Sequence, residues 1–386
     1  MRILVWSEAF WPTVGGVEMF LTRLTQHVSQ RGHLVHVVAA HSDLDLPDED
    51  ALAGIRVDRI RLFEALQSRR PEEHLRLRRR ISSLVSGFRP DLLHLNLLGP
   101  GAALFDAVDR RTTSRVVTLH AGLDTLRSGG PDTLLGRTVA GADWITACSQ
   151  AALDRVVQLS PAAAAISSVI PYGVNVTAEP PGSPHFDPPH LLCVGRLVTM
   201  KAFDVAIDAL ARVRLAGHST ACLTIAGDGP ERAALEAQAC NAGLDGCVHF
   251  VGWCSPDEVR ARMLDASLVV MPSRASGVDY SEGLGIVALE AAEAGRAVVA
   301  SRAGGLPEAV VDGVTGIIVQ PDDSDALARA IGSLLADPAR ATALGAAGRR
   351  RIQSRFRWDT CLDAYVQLFI RLADGRTAQH IGVTAP

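Results

Sequence analysis

Short apolar runs alternate with longer amphipathic stretches along most of the chain, and the order of the two periods is regular. In the first half the pattern predicts strands at 3–6, 34–40, 55–59, 91–95, 115–120, 144–148 and 167–170. Helical periodicity falls near 17–31, 72–87, 101–110, 133–140 and 150–159. The second half repeats the alternation, with strands at 191–194, 221–226, 248–251, 268–271, 297–300 and 316–319. Its helices fall at 203–215, 231–242, 256–264, 283–294 and 324–336. Short buried strands separated by helices imply βαβ units, so the expected class is α/β with two Rossmann-like, doubly wound parallel sheets. Such sheets place ligands at the carboxyl ends of their strands, hence in a cleft between the two domains.

A Pro-rich stretch without periodicity at 177–190 reads as a linker between a first domain, 1–176, and a second, 191–357. A last helix, 358–373, carries Trp358, Cys361, Leu362, Tyr365, Phe369 and Leu372 on one stripe. From 374 to 386 the chain is expected to be disordered.

Composition narrows the class. Hydrophobic content of 48% and charged content of 21% describe a soluble globular chain, and a net charge of −4 gives no general pull towards nucleic acid. The 7 Cys form no CxxC pair, which suits a reducing compartment and disfavours a metal cluster. The opening MRILVWSEAF enters a strand rather than a signal peptide, and no apolar run spans a bilayer, so a cytoplasmic location is expected. Of the 38 Lys and Arg residues only one is Lys, at position 201. An Arg-rich chain retains a Lys most plausibly where a compact ammonium does something a planar guanidinium does not.

The densest candidate chemistry lies between Met271 and Ser301. A strand ends at Pro272, a Gly- and Ser-rich loop follows, and EGLGIVALEAAEAG reads as a helix from Gly283 to Ala294, with Glu282 at its mouth and Glu290 two turns in. Gly283 and Gly285 in the first turn would let an anion approach free amides at the positive end of the helix. A hydroxyl-rich ligand would give both carboxylates partners, although two Glu on one helix also describe a solvated face. Gly15-Gly16 opens the helix after the first strand, and by itself could equally be a tight turn with Glu18 favouring the helix dipole. His120 ends a buried strand, where a structural role is the simpler reading. There is no GxGxxG, which disfavours a dinucleotide cofactor.

Taken in order, these motifs resemble the retaining nucleotide-sugar glycosyltransferases of family 4, which have the GT-B fold. The resemblance spans about residues 2 to 372 and is carried by Gly15-Gly16, His120, IPYGV at 170–174, GRLVTMKA at 195–202, GDGP at 227–230 and Glu282-x7-Glu290. The sequence departs at Ala121, where members often carry Asp or Gly, and at Ala202, where Gly is usual. The resemblance implies a nucleoside-diphosphate sugar donor, UDP- or GDP-linked, and a hydroxyl acceptor such as a lipid-linked sugar, glycan or small metabolite. It implies retention of configuration with no metal and no further cofactor.

On that reading Arg196, Lys201 and the amides of Gly283, Leu284, Gly285 and Ile286 hold the diphosphate. Glu290 binds ribose and Glu282 the sugar hydroxyls. Gly195, Gly227 and Gly229 lie near the nucleotide, and Gly15, Gly16 and His120 complete the site. Fixed cations there would stabilise charge growing on the leaving group. A same-fold epimerase, a sugar-phosphate synthase or a non-catalytic sugar-nucleotide binder are the alternatives. The basic stretch Arg69, Arg70, Arg76, Arg79 and Arg80 reads as a solvated helix face or as a peripheral contact with an anionic membrane.

Overall fold

The computed structural model describes residues 1–13, 15–41, 44–68, 70–97, 99–105, 113–120, 122–123, 133–178, 181–275 and 280–380. Arg69, Ala121 and the distal half of the helix expected at 101–110 lie outside these residues. The chain divides into two compact units, Met1–Pro171 with Asp359–Pro386, and Tyr172–Trp358.

The first unit contains β1 (Arg2–Ser7), α1 (Gly16–Gln30), β2 (Leu34–Ala40), β3 (Glu49–Leu52), β4 (Ile55–Ile60), α2 (Leu62–Gln67) and α3 (Pro71–Phe88). It continues with β5 (Leu92–Leu97), β6 (Ser114–Leu119), the two-residue β7 (Gly122–Leu123), α4 (Leu134–Ala140), β8 (Trp144–Ala147), α5 (Gln150–Leu159) and β9 (Ser167–Val169). Eight strands form one sheet in the order β3-β4-β2-β1-β5-β6-β8-β9. All neighbours are parallel except β3, which pairs antiparallel with β4 at the edge. The pattern did not reveal β3, because Glu49-Asp50-Ala51-Leu52 carries no apolar face. Parallel strands covered on both faces are withdrawn from water along their length, and Ser114–Leu119 is buried at every position, Ser114, Arg115 and Thr118 included.

In the second unit lie β10 (His190–Val194), α6 (Phe203–Leu215), β11 (Cys222–Ala226), α7 (Arg232–Asn241), β12 (Val248–Gly252), α8 (Pro256–Asp265) and β13 (Leu268–Met271). The two-residue β14 (Tyr280–Ser281) leads to α9 (Ile286–Glu293), β15 (Ala297–Ser301), α10 (Leu306–Ala309), β16 (Gly316–Val319), α11 (Ser324–Leu335) and α12 (Pro338–Arg355). The six-stranded parallel sheet runs β12-β11-β10-β13-β15-β16. The order reverses at β10, the first strand in sequence, so β11 and β13 flank it. That is the switch point at which such sheets open a crevice beyond their strand ends. The pattern missed α12, whose buried face is built from Ala341, Leu344, Gly345, Gly348 and Ile352 and has little apolar contrast.

The last helix, α13 (Trp358–His380), groups with the first unit from Asp359 onward. Tyr365 donates to Thr146 Oγ1 at 3.2 Å, Phe369 packs on His94, and Asp363 accepts from His27 at 2.8 Å. The helix runs eight residues past Leu372, through the start of the tail expected to be disordered. Only Gly375 there opposes helix, at about 1 kcal/mol, and no Pro interrupts the ladder. Among the described residues no helix is long and apolar enough to cross a membrane.

Candidate functional site

The strand ends flanking the switch point bring the only Lys to a buried carboxylate. After β10 the chain turns through Gly195 at φ 151° and buries Leu197. One 3-10 turn, Thr199–Lys201, then ends at Ala202, which adopts a left-handed φ of 53° as the N-cap of α6. Lys201 Nζ donates to both oxygens of Glu282, at 2.8 and 3.1 Å. The side chains are 15% and 9% exposed, so this pair is largely withdrawn from water. Ser273, just past β13, donates its hydroxyl to Glu282 Oε2 at 3.1 Å, and Ser301 at the end of β15 donates to the Ser273 carbonyl. Neither serine belongs to a motif, and their signal in the sequence was position, Ser301 at the end of β15 and Ser273 two residues past β13.

Glu282 is also held through its backbone. Gly305 N–H donates to the Glu282 carbonyl at 3.1 Å, and a Cβ on Gly304 would lie 2.0 Å from that oxygen. Only glycine fits there, and it has φ 49°. Gly304 and Gly305 therefore hold the backbone of the residue that carries the buried carboxylate.

The helix beyond Glu282 begins later than its composition suggested. It starts at Ile286, and Gly285 is the N-cap, left-handed at φ 81°. Gly283 and Gly285 therefore lie ahead of the first turn rather than within it, because the chain reverses direction there before the ladder begins. Leu284 is 2% exposed, its side chain packed into the second unit. No acidic residue occupies the first turn of α9, which leaves its positive end uncompensated by the helix itself. Further along, the Glu290 carboxyl makes no hydrogen bond or ion pair with the described residues. Burial pushes its pKa up to about 7.

Arg196 is not drawn into this cluster. Leu197 takes the inward position beside it, and Arg196 is exposed, with no hydrogen bond or ion pair to the described residues. Another guanidinium braces the lysine turn. Arg274 donates to the Thr199 carbonyl at 2.6 Å and to both Asp204 oxygens at 3.0 and 2.6 Å, and pairs with Asp322 at 2.8 Å. Its backbone N–H donates to the Met200 carbonyl at 2.9 Å.

Gly227 and Gly229 press the loop after β11 against the lysine loop. Gly195 N–H donates to the Ala226 carbonyl and Leu197 N–H to the Asp228 carbonyl, both at 2.9 Å. A Cβ on Gly227 would lie 1.9 Å from the Gly195 carbonyl oxygen.

In the first unit, Gly15 is the N-cap of α1 and Gly16 its first residue. The Glu18 carboxylate folds back over Gly15, and Val14 lies outside the described residues. His120 is 4% exposed, and its Nε2 meets Asn96 Oδ1 at 2.8 Å. Asn96 Nδ2 donates to the Trp6 carbonyl, which turns its oxygen towards the ring, so Nε2 carries the proton. Burial, with His94 adding a smaller effect, lowers the His120 pKa to about 3. The ring is therefore neutral at physiological pH. Glu8, unremarked in sequence, follows β1 and accepts from Gly101 N–H at 2.7 Å; burial raises its pKa and that bond opposes the rise. Among the described residues, no three His, Cys, Asp or Glu side chains are grouped to hold a metal ion.

Known proteins match the chain over nearly its whole length. Residues 14–178 match the description Glycosyltransferase Family 4, and residues 178–351 match Glycosyl transferases group 1. A glycogen synthase of Mycobacterium tuberculosis is 31% identical over 408 residues, covering 97% of this chain and 96% of that protein. A GDP-mannose-dependent alpha-(1-6)-phosphatidylinositol monomannoside mannosyltransferase of Mycolicibacterium smegmatis is 31% identical over 372 residues, covering 93% and 95%. In three dimensions, a sucrose-phosphate synthase of Thermosynechococcus elongatus aligns with a TM-score of 0.80 at 23% identity, covering 97% of this chain and 99% of that one. Anabaena Alr3699/HepE, solved with UDP and glucose, aligns at 0.75 and 21%, covering 96% and 100%.

Proposed function

The chain belongs to the family 4 glycosyltransferases, and from that premise we propose that it is a retaining, metal-independent enzyme whose donor, a UDP- or GDP-linked sugar, lies at the Lys201–Glu282 strand ends. The observation that carries this reading is the buried ammonium–carboxylate pair beside an uncompensated helix start. A donor diphosphate at that start would meet the α9 amides and draw the Lys201 ammonium away from Glu282. The freed Glu282 carboxylate then accepts from sugar hydroxyls, while Ser273 keeps it in place. As the glycosidic C–O bond breaks, its electron pair goes to the diphosphate oxygen, the acceptor hydroxyl oxygen bonds to the anomeric carbon on the same face, and its proton passes to the leaving phosphate. A cation and amides already aimed there act on the transition state more than on the ground state. Glu290, its carboxyl without a partner among the described residues, is placed to accept from ribose hydroxyls. Arg196 joins the phosphate only if its exposed side chain folds inwards. Gly15, Gly16 and His120 are assigned to the donor by resemblance alone, and His120 would act as a neutral hydrogen-bonding group.

Relatives that use GDP-mannose on a phosphatidylinositol mannoside support a hydroxyl acceptor of glycolipid type. We also propose peripheral contact with an anionic membrane through Arg70, Arg76 and Arg79. These are exposed, and Phe63, Leu66 and Leu75 nearby are 45%, 40% and 51% exposed. Arg80 is committed elsewhere, to Asp58 and Glu49.

The reading is tested by thermal-shift screening of UDP-, GDP-, ADP- and dTDP-sugars, then by nucleoside-diphosphate release with and without a chelator. NMR of the product's anomeric proton follows. Release that requires added divalent metal, or an inverted product, refutes the mechanism. Binding without release in the presence of candidate acceptors favours a non-catalytic binder.

A further inference from the structure

At the opposite end of the first sheet, Arg2, Val35 and Arg56 stand at or next to the amino ends of β1, β2 and β4. Together with Arg80, Leu84 and Phe88 of α3 they line a cavity of about 330 Å³. Its charges do not balance. Asp58, fully buried, accepts from Arg56 at 2.7 and 3.2 Å, from Arg80 at 2.8 Å and from His36 at 2.6 Å, so both its oxygens are taken. Glu49 bridges Arg80 at 3.1 Å and Arg56 at 3.5 Å. Nothing is left for Arg2. Among the described residues its Nε is buried without a hydrogen bond and it forms no ion pair, and its guanidinium lies over the Phe88 ring at 5.0 Å. Asp91 is close but accepts from the Arg2 backbone N–H instead. Burial pushes the His36 pKa down, so that ring adds no charge of its own at neutral pH.

Arg56 and Arg80 thus share Asp58 and Glu49, Asp91 is turned to the Arg2 backbone, the Arg2 guanidinium has no carboxylate partner among the described residues, and Val35, Leu84 and Phe88 supply an apolar wall. We propose that this cavity binds the phosphate of a small phosphomonoester, with Arg2 and Arg80 on the oxygens and the ester's carbon group against Val35, Leu84 and Phe88. Planar guanidinium forks match phosphate oxygens in pairs, which a lone ammonium does not. The volume lies at the lower end of ligand sites, enough for a phosphate with a short organic group. The site lies at the strand ends opposite those that bear Glu8 and His120, so it stands apart from the transfer chemistry.

Isothermal titration of the full chain with inorganic phosphate and with phenyl phosphate tests this. Saturable one-to-one binding is expected, tighter for phenyl phosphate and weaker as salt rises. Arg2→Gln lowers the affinity about tenfold, the loss expected for one charge-assisted contact. Ser83→Glu, on an exposed position at the rim, places a carboxylate in the cavity and abolishes binding without touching the core. Lys201→Ala leaves the same binding intact. Binding that survives Ser83→Glu, or disappears in Lys201→Ala, overturns the proposal, the latter placing the anion on the second unit. Pelleting with phosphatidylcholine vesicles, with and without phosphatidic acid, separates the two sources of such a phosphate. Pelleting that needs phosphatidic acid and fails in Ser83→Glu assigns a lipid headgroup. Soluble binding without pelleting assigns a free phosphomonoester, and loss of neither in Ser83→Glu again refutes the site.

Discussion

Breaking the Lys201–Glu282 pair tests both the geometry and the chemistry assigned to it. At contact near 3 Å, an effective dielectric of about 20 gives roughly 5 kcal/mol of attraction. Desolvating two side chains that are 15% and 9% exposed removes much of that, leaving a net coupling of about 2 to 3 kcal/mol. Lys201→Met strands Glu282 as a buried carboxylate held by Ser273 alone and should cost about 3 to 5 kcal/mol. Glu282→Gln keeps the shape and costs less. The double variant should cost no more than Lys201→Met by itself, since the second change removes the charge the first left stranded. Hydrogen exchange at the amides of β10, β13 and β15 reports the stability of the unit that holds the pair. Costs that add to within about 0.5 kcal/mol would show that the two groups do not interact, and the geometry argued here would be wrong. In turnover, each single variant should lose about two to three orders of magnitude, and near-normal release of nucleoside diphosphate by either would reject its catalytic role.

Glu290 sets a pH dependence. Its carboxyl has a folded pKa raised to about 7, so its favourable contribution is present below the unfolded value and is lost as pH rises through 7. Glu290→Gln should therefore gain up to about 3 kcal/mol over the parent at pH 8 and little at pH 4, read from urea midpoints; some remaining exposure makes that figure an upper bound. Arg274→Ala frees the turn bearing Lys201 and should lower turnover at least tenfold with donor affinity less affected. Arg274→Lys should restore little of it, because one ammonium cannot span Asp204, Asp322 and Thr199 together; recovery by Lys would refute the bracing role. Gly227→Ala, with a carbonyl 1.9 Å from the new Cβ, should cost well over 3 kcal/mol in thermal unfolding. Gly217→Ala, at φ 111° with nothing within 4 Å, should cost only about 1 to 2 kcal/mol, and equal losses would show that packing is not the cause.

Much of the architecture was legible from periodicity. Buried parallel strands read as near-continuous apolar runs, so β10, β13 and β15 announce themselves, as do the helices that return the chain between them. Elements without apolar contrast stayed hidden, as with the edge strand Glu49–Leu52 and the small-residue face of α12. The isolated Lys201 and the spacing of Glu282 from Glu290 also stood out, because composition and spacing are properties of the string itself. What those residues do to one another was not legible. Lys201 and Glu282 are 81 positions apart, and they meet because the strand order reverses at β10, with β13 as its neighbour on one side. The same folding carries Ser273 to the carboxylate, Ser301 to the Ser273 carbonyl and Gly304 to the Glu282 backbone carbonyl, and leaves Arg196 in solvent beside a buried leucine. Local pattern decides which segments are strand or helix, since backbone geometry and side-chain period act over a few residues. Which ammonium faces which carboxylate depends on sheet order and burial, and those are settled only when distant segments pack.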